Sequence, residues 1–181
     1  MRNLGEALEG RNTLRMGEAH RTLKGRNKHI TMGQSLVKNY IHLVFSTKHR
    51  APLLQPPVES ELHSYLGGIC NNLGCHSIKV GGFTDHIHIL CMLSKKIALM
   101  KLVEELKSHS SKWIKTKGVE YANFYWQDGY GAFSVKASDV DIVKNYIANQ
   151  QEHHRKKTFQ EEFRNILKKN NVDYNEEYVW D

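Results

Sequence analysis

Thr84-Asp85-His86-Ile87-His88-Ile89-Leu90-Cys91-Met92-Leu93 is the stretch around which the rest of the chain is organised. Its β-branched and apolar residues favour an extended strand, in which successive side chains point to opposite faces. His86 and His88 therefore project to one side, while Ile87 and Ile89 project to the other, into a core. Two imidazoles side by side on a rigid strand supply half a coordination sphere or one wall of an active site. The competing reading is a pair of half-buried histidines bonded to their strand neighbours. The residues before and after must decide.

Upstream, Ser77 to Val80 reads as a second strand, with Gly81-Gly82 as the turn of a hairpin. Tyr40-Ile41-His42-Leu43-Val44-Phe45-Ser46 is a third β-prone run, apolar on both faces and so placed centrally in a sheet. A fourth, short strand closes the aromatic and glycine-rich segment from Tyr125 to Val135. Between Pro57 and Leu73, apolar residues Val58, Leu62, Tyr65, Leu66, Ile69 and Leu73 recur every three or four positions, the pattern of an amphipathic helix, and Gly74 stops it. Ile97, Met100, Leu102, Val103, Leu106 and Ile114 mark a second helix over residues 97–116, with Lys101, Lys107, Lys112 and Lys115 as its solvated face. Ser138-Asp139-Val140-Asp141 has the Ser-x-x-Asp form of a capping box and opens a helix to about Glu152. Thr158-Phe159-Gln160-Glu161 caps a last helix through Lys168, and Tyr174, Tyr178 and Trp180 are expected to pack back on the body. The order strand, helix, strand, strand, helix, strand, helix, helix predicts an α+β fold, an antiparallel sheet covered by helices in a ferredoxin-like arrangement.

The chain has 181 residues, enough for one domain with appendages. Its formal charge of +7 would ordinarily suggest nucleic acid. Residues 1–31, however, carry seven Arg or Lys against three Glu, and the remaining 150 residues hold only +3. A nucleic-acid partner must therefore be argued from local patches. Residues 1–31 are rich in Gly, Arg, Asn and Glu and show no period of 2 or 3.6. They read as a disordered or misannotated extension ahead of a domain over residues 32–181, with a basic arm touching DNA as the alternative. No apolar run approaches the length of a membrane span and no secretory signal opens the chain, so the expectation is a cytoplasmic protein without a membrane partner. Cys70, Cys75 and Cys91 show no CxxC pairing and read as packing residues.

Downstream, Tyr146 and Gln150 lie four residues apart and share a helix face, while Val140, Val143 and Ile147 form a different stripe that binds the helix to the sheet. Alone, that pair reads equally as surface packing plus a solvated amide. Together, the strand-borne His-Ile-His, the segment Trp126-Gln127-Asp128-Gly129-Tyr130-Gly131-Ala132-Phe133-Ser134-Val135, and Tyr146-x-x-x-Gln150 followed by His153-His154 resemble single-tyrosine HUH transposases of the TnpA type, including their repeat-associated relatives. The resemblance runs from about Met32 to Asp181 and takes in Ser35-Leu36-Val37-Lys38-Asn39-Tyr40-Ile41-His42.

That resemblance implies an HUH domain in which His86 and His88 bind a metal, Tyr146 is the nucleophile and Gln150 is the third protein ligand. It implies a divalent cofactor, Mg²⁺ or Mn²⁺, single-stranded DNA with hairpins as substrate, and a homodimer whose tyrosine helix completes the partner's histidine site. Gly129 and Gly131 are expected to permit that repositioning. Two imidazoles and an amide oxygen add no negative charge, so the cation would keep its full charge for phosphate, although the histidines alone would also tolerate zinc. Lys48, His49 and Arg50 form one candidate DNA-binding patch and Arg155, Lys156 and Lys157 another, while Tyr130 and Phe133 are candidates for stacking on bases. His153 lies near the Tyr146 face without being read as a ligand. The rival functions are a domesticated module that binds hairpins without transposition, and a small-molecule metallohydrolase. The second is disfavoured because no acidic general base accompanies the histidines.

Overall fold

The apolar residues Ile41, Leu43, Val44 and Phe45 place Tyr40–Ser46 (β1) in the middle of the sheet, where both faces are covered and all but its first residue are buried. The computed structural model describes residues 34–180, of which Leu36 onward forms one compact unit. The extension expected over residues 1–31 lies outside the described residues. Around β1 stand α1 (Val58–Asn72), β2 (His76–Phe83), β3 (His86–Met92), α2 (Leu99–Ile114), β4 (Gly131–Val135), α3 (Val140–Ala148), α4 (Gln150–His153) and α5 (Phe159–Lys169). The strands are ordered β2-β3-β1-β4 and every neighbouring pair is antiparallel. This is the α+β, ferredoxin-like arrangement expected from the order of elements.

The period of two in the strands divides the molecule into two layers. Ile41, Leu43 and Phe45 of β1 and Ile87, Ile89 and Cys91 of β3 face one way, into a core shared with Leu62, Leu66 and Ile69 of α1 and Leu102, Val103 and Leu106 of α2. On the opposite face, Val44 joins Phe133 of β4 and Phe159, Phe163 and Leu167 of α5. That second face also carries the histidines.

The hairpin between β2 and β3 turns at Thr84-Asp85, and Gly81-Gly82 lie within β2, paired with His88 and Ile87. The expectation that the glycines form the turn is thus corrected. Their use is close approach: a Cβ on Gly81 would sit 2.7 Å from the Ile147 carbonyl oxygen, so the missing side chain lets α3 rest directly on the strand beside His88. Gly74 does end α1, at a φ of +71°.

Two other local expectations also change. The box at Ser138 does not form, because Ser138 Oγ donates to Asp139 and a 3₁₀ turn over Ala137–Asp139 leads into α3. The helix then breaks at Asn149, which separates α3 from α4. The second box does form: Thr158 accepts from the Glu161 backbone N–H while Glu161 reaches back to Thr158. Trp180 packs on Phe159 and Phe163, whereas Tyr174 and Tyr178 remain exposed.

Lys107 does not belong to a solvated face of α2. Its Nζ donates to the carbonyl oxygens of Gln127, Asp128 and Gly129 at 2.7, 3.0 and 2.7 Å, fixing the path of the glycine-rich segment into β4. Gly131 is itself a paired residue of β4, opposite Val44, and Gly129 precedes that strand. Neither is placed to move α3, whose connection to the sheet is Lys136–Asp139. Cys70, Cys75 and Cys91 are buried free thiols, as expected of packing residues.

Candidate active site

His86 and His88 are fully buried, since β3 is central and α3, α4 and α5 close over its second face. Each ring is held by its Nδ1. His86 Nδ1 lies 2.7 Å from Asp85 Oδ1, and a carboxylate only accepts, so Nδ1–H is the donor and, in the neutral ring, Nε2 is an acceptor. His88 Nδ1 lies 3.0 Å from Nε2 of His42 on β1, the rings stacking with centroids 5.2 Å apart. With His88 Nδ1–H as donor, its Nε2 also turns a lone pair into the site, and that atom is buried without a hydrogen-bond partner. Burial first, then the neighbouring His88, lowers His42 to about 3. Burial likewise lowers His88 to about 4 against the opposing influence of Glu162, so both are neutral at pH 7.

The α3–α4 segment brings Tyr146 and Gln150 to the same place, as their four-residue spacing predicts. Gln150 is buried, with Oε1 3.4 Å from His86 Nε2. The half-buried Tyr146 ring meets His88 edge-on at a centroid distance of 5.7 Å and lies 5.4 Å from His153. Among the described residues, a single chain therefore assembles both histidines, the tyrosine and the glutamine.

A fifth residue was not anticipated. Glu162 of α5 reaches into the centre of the cluster and is only 2% exposed. Its Oε1 accepts from the Tyr146 hydroxyl and, at 2.8 Å, from Gln150 Nε2. The same oxygen lies 3.4 Å from His88 Nε2, and Oε2 lies 3.5 Å from His86 Nε2 and 3.0 Å from His154 Nε2. Burial alone would raise this carboxyl, but the neighbouring His154, His88 and His86 outweigh it and hold it well below the usual carboxylate range. Burial, followed by the charge of Glu162, pushes the Tyr146 hydroxyl above its ordinary range. The absence of an acidic group beside the histidines, expected from the sequence, is thereby corrected, as is the expectation of a site without negative charge. The missed signal was positional: Glu162 falls inside the stripe Phe159, Phe163, Ile166, where a solvated glutamate has no place.

The cluster opens into a cleft of about 580 Å³ between β4, α3 and α5, with His42, Tyr146 and Glu162 in its wall and Lys136, Lys157 and Lys169 among its lining residues. Of the candidate DNA-binding residues, Lys157 lines this cleft. Arg155 and Lys156, both exposed, line an adjoining groove of about 470 Å³ together with Thr84, Asp85 and Lys157. Lys48, His49 and Arg50 form a 3₁₀ turn after β1, with the Arg50 guanidinium 5.7 Å from the centre of the Trp180 ring. They line neither groove. Phe133 is largely buried beside Val44 and Phe163 and lines the cleft, whereas Tyr130 is 41% exposed.

The residues present fit a divalent cation. His86, His154 and Glu162 offer donor atoms within 4.8 Å of one another, Gln150 Oε1 lies 3.4 Å from His86 Nε2, and His88 Nε2, buried without a hydrogen-bond partner, lies 3.4 Å from Glu162 Oε1, while Asp85 and His42 orient the two strand histidines from behind.

A ferredoxin-like sheet that presents His-x-His from a central strand, beneath a tyrosine on a packed helix, has the layout of an HUH domain. Residues 35–150 match the family described as Transposase IS200 like, and the chain belongs to that family of single-tyrosine HUH transposases. No curated protein matches the chain. Among solved structures, the fold is similar to that of a protein assigned as a transposase from Deinococcus radiodurans R1, with a TM-score of 0.53 and 22% identity over 67% of this chain and 98% of that one. It is also similar to a REP-associated tyrosine transposase bound to a REP hairpin, with a TM-score of 0.51 and 13% identity over 68% of this chain and 73% of the other. Among the described residues, no helix is long and apolar enough to cross a membrane.

Proposed function

We propose that this chain cleaves and rejoins single-stranded DNA at hairpin-bearing ends, with Tyr146 as the nucleophile and a 5′-phosphotyrosine as the intermediate. The observation that carries the reading is the grouping of Tyr146, His86, His88 and Gln150 around the buried Glu162 carboxylate beside a lysine-lined cleft. Membership of the transposase family supplies the reaction class, and the relative solved with a REP hairpin supports hairpin DNA as the substrate.

In this scheme His86, His88 and Gln150 hold a divalent cation, Mg²⁺ or Mn²⁺, which when bound supplies Lewis acidity at the scissile phosphate. The lysines of the cleft wall receive the flanking phosphates. Tyr146 Oη forms a bond to phosphorus and gives up its proton to solvent. The P–O3′ bond breaks, and the 3′ oxygen takes a proton to leave as a free hydroxyl. The phosphodiester energy is kept in the tyrosine ester, so attack by a 3′-hydroxyl rejoins a strand without ATP. Because burial and Glu162 raise the Tyr146 hydroxyl, alignment must contribute a large share of its activation.

We also read the working enzyme as a homodimer. An exchange of the tyrosine helix between subunits would bend the chain at Lys136–Asp139, the connection from β4 to α3. A module that only binds hairpins has no use for a tyrosine hydroxyl packed among two imidazoles and a carboxylate, so the catalytic reading is preferred. Incubation with single-stranded hairpin oligonucleotides and Mg²⁺ is expected to give a protein–DNA adduct that survives denaturation. No adduct across a broad oligonucleotide library would exclude the mechanism.

A further inference from the structure

We infer that Glu162 is a fourth protein ligand of the cation, so that this chain builds its site from two histidines, a glutamine and a carboxylate delivered by α5. The inference rests on the reading that His86 and His88 hold that cation. Glu162 lies beyond residues 35–150, the part of the chain that matches the family. The carboxylate is delivered by α5, C-terminal to that matched part.

Three observations carry it. Both oxygens of Glu162 face the Nε2 atoms of the histidine pair, Oε1 at 3.4 Å from His88 Nε2 and Oε2 at 3.5 Å from His86 Nε2. His88 Nε2 makes no hydrogen bond, and with Nδ1–H as the donor on each neutral ring both Nε2 atoms are acceptors facing an acceptor, an arrangement that a cation between them satisfies. Second, the carboxylate is buried, and among the described residues no lysine or arginine pairs with it; the basic groups within 4 Å of it are imidazoles alone. A buried carboxylate is expensive without a compensating positive charge. A divalent ion supplies that charge.

Third, α5 is built to hold the group in position. The Thr158–Glu161 capping box fixes the start of the helix, and Phe159 and Phe163 anchor the same face in the core. His86, His154 and Glu162 offer donor atoms within 4.8 Å of one another. Of these, His154 places Nδ1 2.9 Å from the Lys157 carbonyl oxygen and Nε2 3.0 Å from Glu162 Oε2, and so orients the carboxylate.

A carboxylate lowers the net charge of the loaded site and raises its affinity for hard cations such as Mg²⁺ and Mn²⁺ over a set of neutral donors. It also brings the ligand set within reach of the nucleophile, because the oxygen that faces His88 is the one that accepts from Tyr146.

Calorimetric titration of the full chain with Mn²⁺ tests this. Wild type is expected to bind one ion, and E162Q, which keeps the shape and the acceptor, to bind it at least about tenfold more weakly. Because E162Q disturbs a buried cluster, a second measurement uses wild type alone. The infrared difference spectrum between Mn²⁺-loaded and Mn²⁺-free protein is expected to show a shifted carboxylate stretch. E162Q binding Mn²⁺ as tightly as wild type, or a wild-type spectrum with no carboxylate band moving, overturns the assignment of Glu162 while leaving the histidine site intact. Wild type that binds no Mn²⁺ overturns the assignment together with the cation of the proposed function.

Discussion

The Tyr146 hydroxyl donates to Oε1 of Glu162, joining the tyrosine of α3 to the acidic residue of α5 directly above the histidine pair. The contact is long-range in structural terms although only sixteen residues separate the partners, because α4 and a turn reverse the chain between them. It makes α5 part of the site, not a cover over the sheet.

His42 offers a first test. Its Nε2 is the group that fixes the His88 ring from behind, so H42F should free that ring and weaken Mn²⁺ binding by about 10- to 100-fold, the range found for partners that orient metal-binding histidines. The measurement is calorimetric titration, accompanied by a melting curve to verify the fold. Unchanged affinity would show that the stacked pair has no orienting role.

Gly81 tests the seating of the tyrosine helix. Any side chain there meets the Ile147 carbonyl, so G81A should shift α3 outward and cost about 1–3 kcal/mol of stability, the usual penalty for overpacking. Adduct formation should fall further than DNA binding, because Tyr146 moves with α3 while the surface lysines of other elements do not. Urea denaturation, oligonucleotide binding and adduct yield on one preparation measure all three effects.

Much of the fold was readable from the sequence, and the reasons are local. His86-Ile87-His88-Ile89 alternates with period two, and the apolar residues of α1 and α2 recur at three and four, so strands, helices and the buried faces follow directly. Tyr146 and Gln150 were readable because four residues make a helical neighbourhood. Glu162, Lys107 and Gly81 were not. Each acts on an element far away in sequence: a carboxylate against β3, an ammonium on the carbonyls of another segment, and a missing Cβ under a helix that comes much later. Composition and periodicity record which face a residue occupies, and they do not record what lies opposite.

Lys107 provides a test away from the chemistry. Burial lowers its ammonium to about 8 against the opposing charge of Asp128, and three carbonyls depend on it. K107M keeps an unbranched apolar side chain but removes the donor and the ammonium that lies 5.3 Å from the centre of the Phe45 ring, and it should destabilise the chain by about 2–3 kcal/mol, the scale of a charged hydrogen bond plus unpaired acceptors. The reading is a shift in the urea midpoint with an unchanged slope.

A pH dependence follows from His63 on α1, which burial, with Lys79 nearby, lowers to about 4 from an ordinary 6.5. The folded state therefore holds it neutral while the unfolded chain takes up a proton between pH 6.5 and 4. More protons bound in the unfolded state means that stability rises with pH through this window. His63 accordingly contributes fully above pH 6.5, and its contribution is lost as the pH falls towards 4. The stability difference between wild type and H63Q should shift against wild type on acidification from pH 7 to 4.5 in denaturant titrations, and a constant difference would contradict the assignment.

The central claim is that Tyr146 carries the DNA strand. Peptide mapping by mass spectrometry of the adduct formed with a single-stranded hairpin oligonucleotide and Mg²⁺ reads it most directly. The account predicts a nucleotide attached through its 5′ phosphate to the peptide containing Tyr146, a matching free 3′-hydroxyl on the released strand, and no adduct from Y146F. Attachment at any other residue, or an equal yield from Y146F, would contradict it.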